Sequence, residues 1–359
     1  MVIIEKNIKD DEPSIQYLNN STYIFNLLQD TRRSKIIIDV RSKEDYDKLH
    51  IRTAVNVPPP SPFGISEKDK EGNIWIKNFD IATYIASIPK VKLWNVLFQK
   101  VVVYSDREFK DYTNDFVNKK EEEINGKKTS YEVSFKLSDW EDVVLQYFLT
   151  QRKKSKVTVF QNGIVSFESN YPFVCNPSDV VIAEPMYASE IIENFLYLGG
   201  QSNAEIRKQI KNLKITHIVN MASELEDSYP HIYKYYRADL DDTPRADIHQ
   251  HFVPIINFIN LAKQDGGRVL VHCAMGISRS ASAVIAYLIK ENQMSYQNAF
   301  VYVKSKRSFI NPNFGFVSQL KDFEFFLKNE KKPKSESESA TQTLDSLVTD
   351  ISIQLNVNK

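Results

Sequence analysis

Between Val269 and Ser280 the chain reads Val-Leu-Val-His-Cys-Ala-Met-Gly-Ile-Ser-Arg-Ser, and this stretch narrows the fold further than any other. Val269, Leu270 and Val271 form a continuous apolar run, the pattern of a strand buried on both faces of a parallel sheet. From Ala281 to Ile289 the residues are helix-forming and apolar almost all round, which predicts a helix inside a core. The loop between them therefore lies at the carboxyl end of a strand and at the N-terminus of a buried helix. Unpaired N–H groups and the positive end of the helix dipole meet there, so an anion is favoured. Gly276 lets successive N–H groups turn inward as a nest.

The same field acts on Cys273. A free cysteine titrates near pH ~8.5, but at a helix N-terminus or beside a cation the value falls to roughly 3.5–7.5, leaving a nucleophilic thiolate. Arg279 offers a planar fork able to hold two phosphate oxygens at once. His272 is expected to orient the loop, and Ser280 to hydrogen-bond the sulfur. Ala274, Met275, Ile277 and Ser278 complete the loop. A buried structural cysteine ahead of a core helix is the simpler reading of a lone Cys. Strand, glycine, spaced arginine and helix together favour the nucleophile.

This segment resembles the His-Cys-x5-Arg-Ser signature of the cysteine-dependent protein tyrosine phosphatases. Gly-Ile-Ser-Arg-Ser-Ala is similar to the dual-specificity branch, in particular its MAP-kinase-phosphatase-like members. The likeness continues upstream through Ile191-Ile192, Phe195–Gly199 and Ile215–Asn220, and downstream through Pro312–Phe316 with Gln319-Leu320. Hydrolysis through a cysteinyl-phosphate needs a group that protonates the leaving oxygen and later activates water. Asp239, Asp241, Asp242 and Asp247 all precede the helix expected at Ile248–Ala262. The resemblance places the acid at Asp242, with Asp241 next. That helix carries an apolar stripe at Ile248, Phe252, Ile255, Ile256 and Ile259, and Pro254 within it is expected to kink it or mark its start. His249 and His251 form a metal pair on paper, yet no other ligand stands near them and they read as surface residues.

Lys35–Arg41, a short helix at Ser42–Leu49, then His50-Ile51 and Ala54–Pro58 resemble the opening of a rhodanese-like domain. Val101–Tyr104 matches its central strand, Trp140–Gln151 a following helix, and Val157–Phe160 its last strand. In active rhodaneses a cysteine follows the central strand; here the chain continues Ser105-Asp106-Arg107, so this domain is expected to be catalytically inactive and to bind or regulate. In MAP kinase phosphatases the first domain docks the kinase through arginines after the Asn-Pro segment. The corresponding stretch here, Pro58–Gly64, holds no arginine, and Arg32, Arg33 and Lys35 lie before the first strand.

The expected architecture is α/β throughout. A rhodanese-like domain spans 14–175, a linker 176–185, and a dual-specificity phosphatase domain with a mostly parallel sheet 186–330. A polar tail from 331 to 359 lacks a core pattern and reads as disordered. The charged stretch between Asp106 and Asp139 is expected to be a mobile surface insertion. With 359 residues the chain has material for two or three cores. Its 46 basic and 46 acidic residues give no global electrostatic case for nucleic acid or membrane. Two cysteines, Cys175 and Cys273, exclude a disulfide scaffold and suit a reducing compartment. The charged N-terminus does not read as a signal peptide, and no apolar run is long enough to span a bilayer. A cytoplasmic protein is expected, with nuclear entry open.

The resemblance implies removal of phosphate from phosphotyrosine and phosphoserine or phosphothreonine in proteins, with no cofactor or metal and with a MAP kinase as one possible partner. A non-catalytic phosphoprotein-binding adaptor is the first alternative, but Cys273 and Arg279 are both present. An RNA or phosphoinositide phosphatase is the second. Neutral Ala274, Met275 and Ile277 argue for protein substrates instead.

Overall fold

The computed structural model describes residues 16–61, 66–106, 118–124, 127–150, 156–177 and 186–330. Most of the expected linker, the tail from 331, part of the proline-rich loop and the stretch 107–117 of the insertion lie outside the described residues. The described residues divide into two compact units, one within 16–193 with 306–308 and the other within 194–305 with 309–330.

In chain order the strands of the first unit are β1 (Gln16–Leu18), β2 (Lys35–Asp39), β3 (His50–Ile51), β4 (Val55–Asn56), β5 (Ser66–Lys68), β6 (Ile74–Asp80), β7 (Lys100–Tyr104), β8 (Asn118–Ile124), β9 (Lys127–Lys136), β10 (Lys156–Phe160), β11 (Cys175–Asn176) and β12 (Ser189–Ile192). Its helices are α1 (Ser21–Gln29), α2 (Lys43–Lys48), α3 (Ile81–Ser87), α4 (Trp94–Leu97), α5 (Trp140–Thr150) and α6 (Gly163–Asn170). Five strands form a sheet in the order β1-β10-β7-β2-β4, with every neighbouring pair parallel. Val101, Val102 and Val103 in its middle strand are fully buried, as a strand covered on both faces requires. The Asp-Val-Arg motif closes on itself, because the Arg41 guanidinium meets Asp39 at 2.6 Å and donates to the Leu49 carbonyl at 2.6 Å. That ties the end of β2 to the end of α2.

The charged insertion holds regular strands that the sequence reading did not foresee. Lys119–Glu123 lies in β8, which pairs antiparallel with β9 in a second sheet ordered β5-β6-β9-β8. Tyr131, Val133 and Phe135 alternate with polar residues along β9, and Phe135 is fully buried. A period of two, not the net charge, decided the local structure.

The second unit contains β13 (Leu196–Gly199), β14 (His217–Asn220), β15 (Lys234–Arg237) and β16 (Val269–His272). Its helices are α7 (Gln201–Glu205), α8 (Arg207–Asn212), α9 (His249–Gln264), α10 (Arg279–Glu291), α11 (Tyr296–Lys306) and α12 (Phe314–Glu330). β13, β16, β14 and β15 pair in that order, all parallel. Every residue of β16 is buried. In α10 every residue from Arg279 to Ile289 is buried, so this helix runs through the core. Each side chain such as Val284, Ile285 or Leu288 stabilises the fold by about 1.5–3 kcal/mol relative to exposure. α9 starts at His249 and continues through Pro254, burying Phe252, Ile255, Ile256 and Ile259. Among the described residues no helix is long and apolar enough to cross a membrane.

Candidate active site

Parallel strands deliver their carboxyl ends to one side of a sheet, and the loops there converge. The loop after β16 runs from Cys273 to Ser278, and Gly276 takes a φ of +69°, the left-handed region that glycine enters freely. This turn brings the Gly276 N–H to the Cys273 sulfur at 3.3 Å. Ser280, the second residue of α10 and fully buried, sets its hydroxyl 3.2 Å from the same sulfur.

His272 is 3% exposed, and burial pushes its pKa down to about 4, so the ring is neutral near pH 7. It is the last residue of β16 and does not line the pocket. Cys273 itself is only 1% exposed and forms the floor of a pocket of about 440 Å³. Asp242, Ala274, Met275, Ile277, Ser278 and Arg279 contribute to its wall, so most of the predicted set converges there. Gly276 and Ser280 act from below through their bonds to sulfur.

Arg279 is the first residue of α10 and nearly buried. Its two terminal nitrogens each donate to one carboxylate oxygen of Glu224 at 2.6 Å, and Nη1 also donates to the Leu240 carbonyl at 3.0 Å. Burial works against its charge, but the Glu224 hydrogen bonds and the nearby anions outweigh it and raise its pKa. The same hydrogen bonds pull Glu224 down to about 2. The Nε atom has no hydrogen-bond partner and lies 3.6 Å from Asp242. The guanidinium is thus gripped along one edge, with Nε left for the pocket.

Asp242 hangs over the pocket. One carboxylate oxygen accepts from the Ser278 hydroxyl at 2.7 Å and from the Asn313 amide at 2.9 Å. The Ser278 hydroxyl in turn accepts from the Asn313 N–H at 3.1 Å. The other candidate aspartates are occupied elsewhere. Asp239 pairs with Arg237 at 2.6 Å, Asp241 accepts from the Ser223 hydroxyl, and Asp247 accepts from Gln250 near the start of α9. His249 packs edge-on against Phe252 and Phe323, while the Nδ1 atom of His251 meets the Tyr236 hydroxyl at 3.1 Å. The two imidazoles thus have separate aromatic settings.

Sequence reasoning missed Glu224 and left Asn313 out of the site. Glu224 lies on the loop after β14, the strand paired with β16. A polar residue just past the carboxyl end of a strand beside the catalytic one was the available signal. Asn311 and Asn313 lie close in sequence just before α12 and line the pocket. The Asn311 N–H donates to the Ile277 carbonyl at 2.9 Å, which anchors this segment to the loop.

Two family models match the chain. The dual specificity phosphatase catalytic domain matches residues 196–325. The rhodanese-like domain matches residues 24–114. A probable rhodanese domain-containing dual specificity protein phosphatase of Dictyostelium discoideum is 49% identical over 350 residues, covering 90% of this chain and 72% of that protein. Human dual specificity protein phosphatase 4 is 32% identical over 206 residues, covering 51% of this chain and 52% of its own. A Slingshot homolog from Xenopus laevis is 33% identical over 183 residues, covering 51% of this chain and 26% of its own. The chain belongs to the rhodanese domain-containing dual specificity protein phosphatases.

Proposed function

We propose that this protein removes phosphate from phosphotyrosine and from phosphoserine or phosphothreonine in protein substrates, through an intermediate on Cys273. The observation that carries the reading is a sulfur met by the Gly276 N–H and the Ser280 hydroxyl at the floor of a pocket, with a gripped guanidinium and a carboxyl group at its wall. In the first step the Cys273 thiolate attacks phosphorus while the bond to the leaving oxygen breaks, and Asp242 gives that oxygen its proton. In the second step Asp242, now a carboxylate, takes a proton from water as the water oxygen attacks phosphorus. The bond to sulfur breaks and inorganic phosphate leaves. Arg279 holds the equatorial oxygens through both steps, and Glu224 keeps its fork aimed. The Ser280 hydroxyl stabilises the departing thiolate in the second step.

The first unit is read as a binding module, because Ser105 stands where a sulfur-carrying cysteine would be needed. MAP kinases are the narrower partner class that the two-domain layout suggests. A cytoplasmic setting belongs to the same reading, because a reducing compartment keeps a nucleophilic thiolate intact. The test of activity compares wild-type, Cys273→Ser and Asp242→Asn proteins on phosphotyrosine and phosphothreonine peptides. Wild type releases phosphate from both, Cys273→Ser from neither, and Asp242→Asn is slower by about 10²-fold or more. Full turnover by Cys273→Ser would end the proposal. Titrating the full chain against a panel of phosphorylated MAP kinases tests the narrower claim, and absence of measurable affinity removes it.

A further inference from the structure

The loop that carries Asp242 does not stand alone. From Asp242 to His249 it runs along the N-terminal part of α12 and is met there at successive positions. Just ahead of the helix, Asn313 donates to the Asp242 carboxylate at 2.9 Å. At Gly315 the two backbones touch: a Cβ placed there would lie 1.9 Å from the Pro244 carbonyl oxygen and 2.7 Å from the Pro244 Cα. No side chain fits in that space, and the obstruction is main chain that cannot swing aside. One turn further on, Gln319 uses both ends of its amide. Its nitrogen donates to the Ala246 carbonyl at 2.9 Å, and its oxygen accepts from the His249 N–H at 2.9 Å. Three helix-side residues thus meet four loop positions in matching order.

We propose that the first turns of α12 are a seat that fixes the acid-bearing loop over the pocket, with Gly315 and Gln319 as positioning residues for Asp242. The inference rests on the reading of Asp242 as the general acid. Neither Gly315 nor Gln319 lines the pocket, so their influence on turnover passes through the loop. Alanine is a better helix former than glycine, so Gly315→Ala strengthens α12 locally while displacing the loop. A shift of about 1 Å in an acid's position is enough to cost on the order of 10²-fold in rate.

The experiment measures turnover of p-nitrophenyl phosphate and phenyl phosphate by five proteins: wild type, Gly315→Ala, Gln319→Ala, Asp242→Asn and the Gly315→Ala/Asp242→Asn double variant. Inhibition by inorganic phosphate and circular dichroism are followed alongside. A good leaving group needs little protonation and a poor one needs much. Gly315→Ala should slow phenyl phosphate by about 10-fold or more and p-nitrophenyl phosphate by less than about 3-fold, with phosphate inhibition unchanged. In the double variant Gly315→Ala should cost nothing further, since the group it positions is gone. Gln319→Ala should show the same leaving-group pattern, and it carries the test if Gly315→Ala does not fold. Unchanged phenyl phosphate turnover in the folded variants, or an equal loss in the Asp242→Asn background, would overturn the seat. If Asp242→Asn itself matched wild type, the acid assignment would fall, and the seat with it.

Discussion

Each unit ends an interior strand of its parallel sheet in a loop, and the two loops have opposite chemistry. Val101–Tyr104 of β7 and Val269–His272 of β16 are alike in burial and in their parallel neighbours. After β7 comes Ser105, fully buried, whose single hydroxyl proton faces two carboxylate oxygens, Glu141 at 2.5 Å and its neighbour Asp106 at 3.1 Å. After β16 comes Cys273, with the Gly276 N–H and the Ser280 hydroxyl on its sulfur and Arg279 across the pocket. The group at the first strand end faces two carboxylates, whereas the sulfur at the second meets an N–H and a hydroxyl, with an arginine on the pocket wall. An anion is welcome only at the second. A shared α/β frame supplies the position, and a few residues past the strand decide the chemistry.

The largest test of that contrast is Arg279→Lys. A lysine keeps the charge but cannot grip both Glu224 oxygens and still present a second edge to phosphate. We expect kcat/KM to fall by roughly 10²–10³-fold, measured with an aryl phosphate. A loss below about threefold would mean that charge alone suffices there.

A second test uses the last residue of each strand. Tyr104 is fully buried and burial raises its pKa well above its ordinary 10, so it does not titrate across the usual range. His272 is pushed the other way, to about 4 from an ordinary 6.5. Between those values the unfolded chain binds a proton that the folded chain does not. Stability is therefore undiminished above about pH 6.5 and declines as pH falls toward 4. From pH 7 to 4.5 the contribution is about 2 kcal/mol. Urea unfolding of wild type and His272→Asn at both values should show wild type losing about that much more than the variant. Equal losses would contradict the assignment of a neutral, buried imidazole.

The smallest expected change is at Ser105→Cys. Facing Glu141 and Asp106, the new thiol stays protonated, so no sulfur transfer from thiosulfate to cyanide should appear. A measurable gain would break the contrast, because a nucleophile alone would then have been the missing part.

Much of this was legible in the sequence, for physical reasons that also explain the gaps. β16, its loop and α10 are contiguous, so apolar run, cysteine, glycine and arginine state the whole phosphate trap within twelve consecutive residues, Val269–Ser280. Asp242 stood among four aspartates ahead of a periodic helix, and only the resemblance to the phosphatase family singled it out. Glu224 was not legible, since its grip on Arg279 spans 55 residues and depends on β14 lying beside β16. The β8–β9 hairpin was obscured by the charge of Lys119–Glu123, although the alternation Tyr131, Val133, Phe135 announces a strand. Pro254 left open whether α9 is kinked or starts later: the helix runs five residues ahead of it and continues past it, with an apolar stripe buried in the core.

The central claim is that the anion-holding loop, and no other part of the chain, takes the phosphoryl group. Acid quenching of the full-length protein during turnover of an aryl phosphate, followed by peptide mass spectrometry, tests it directly. The account predicts one phosphoryl group on the peptide bearing Cys273, building up further in Asp242→Asn, where the second step lacks its base. Steady turnover with that peptide unmodified, or with the phosphoryl group on another residue, would contradict it.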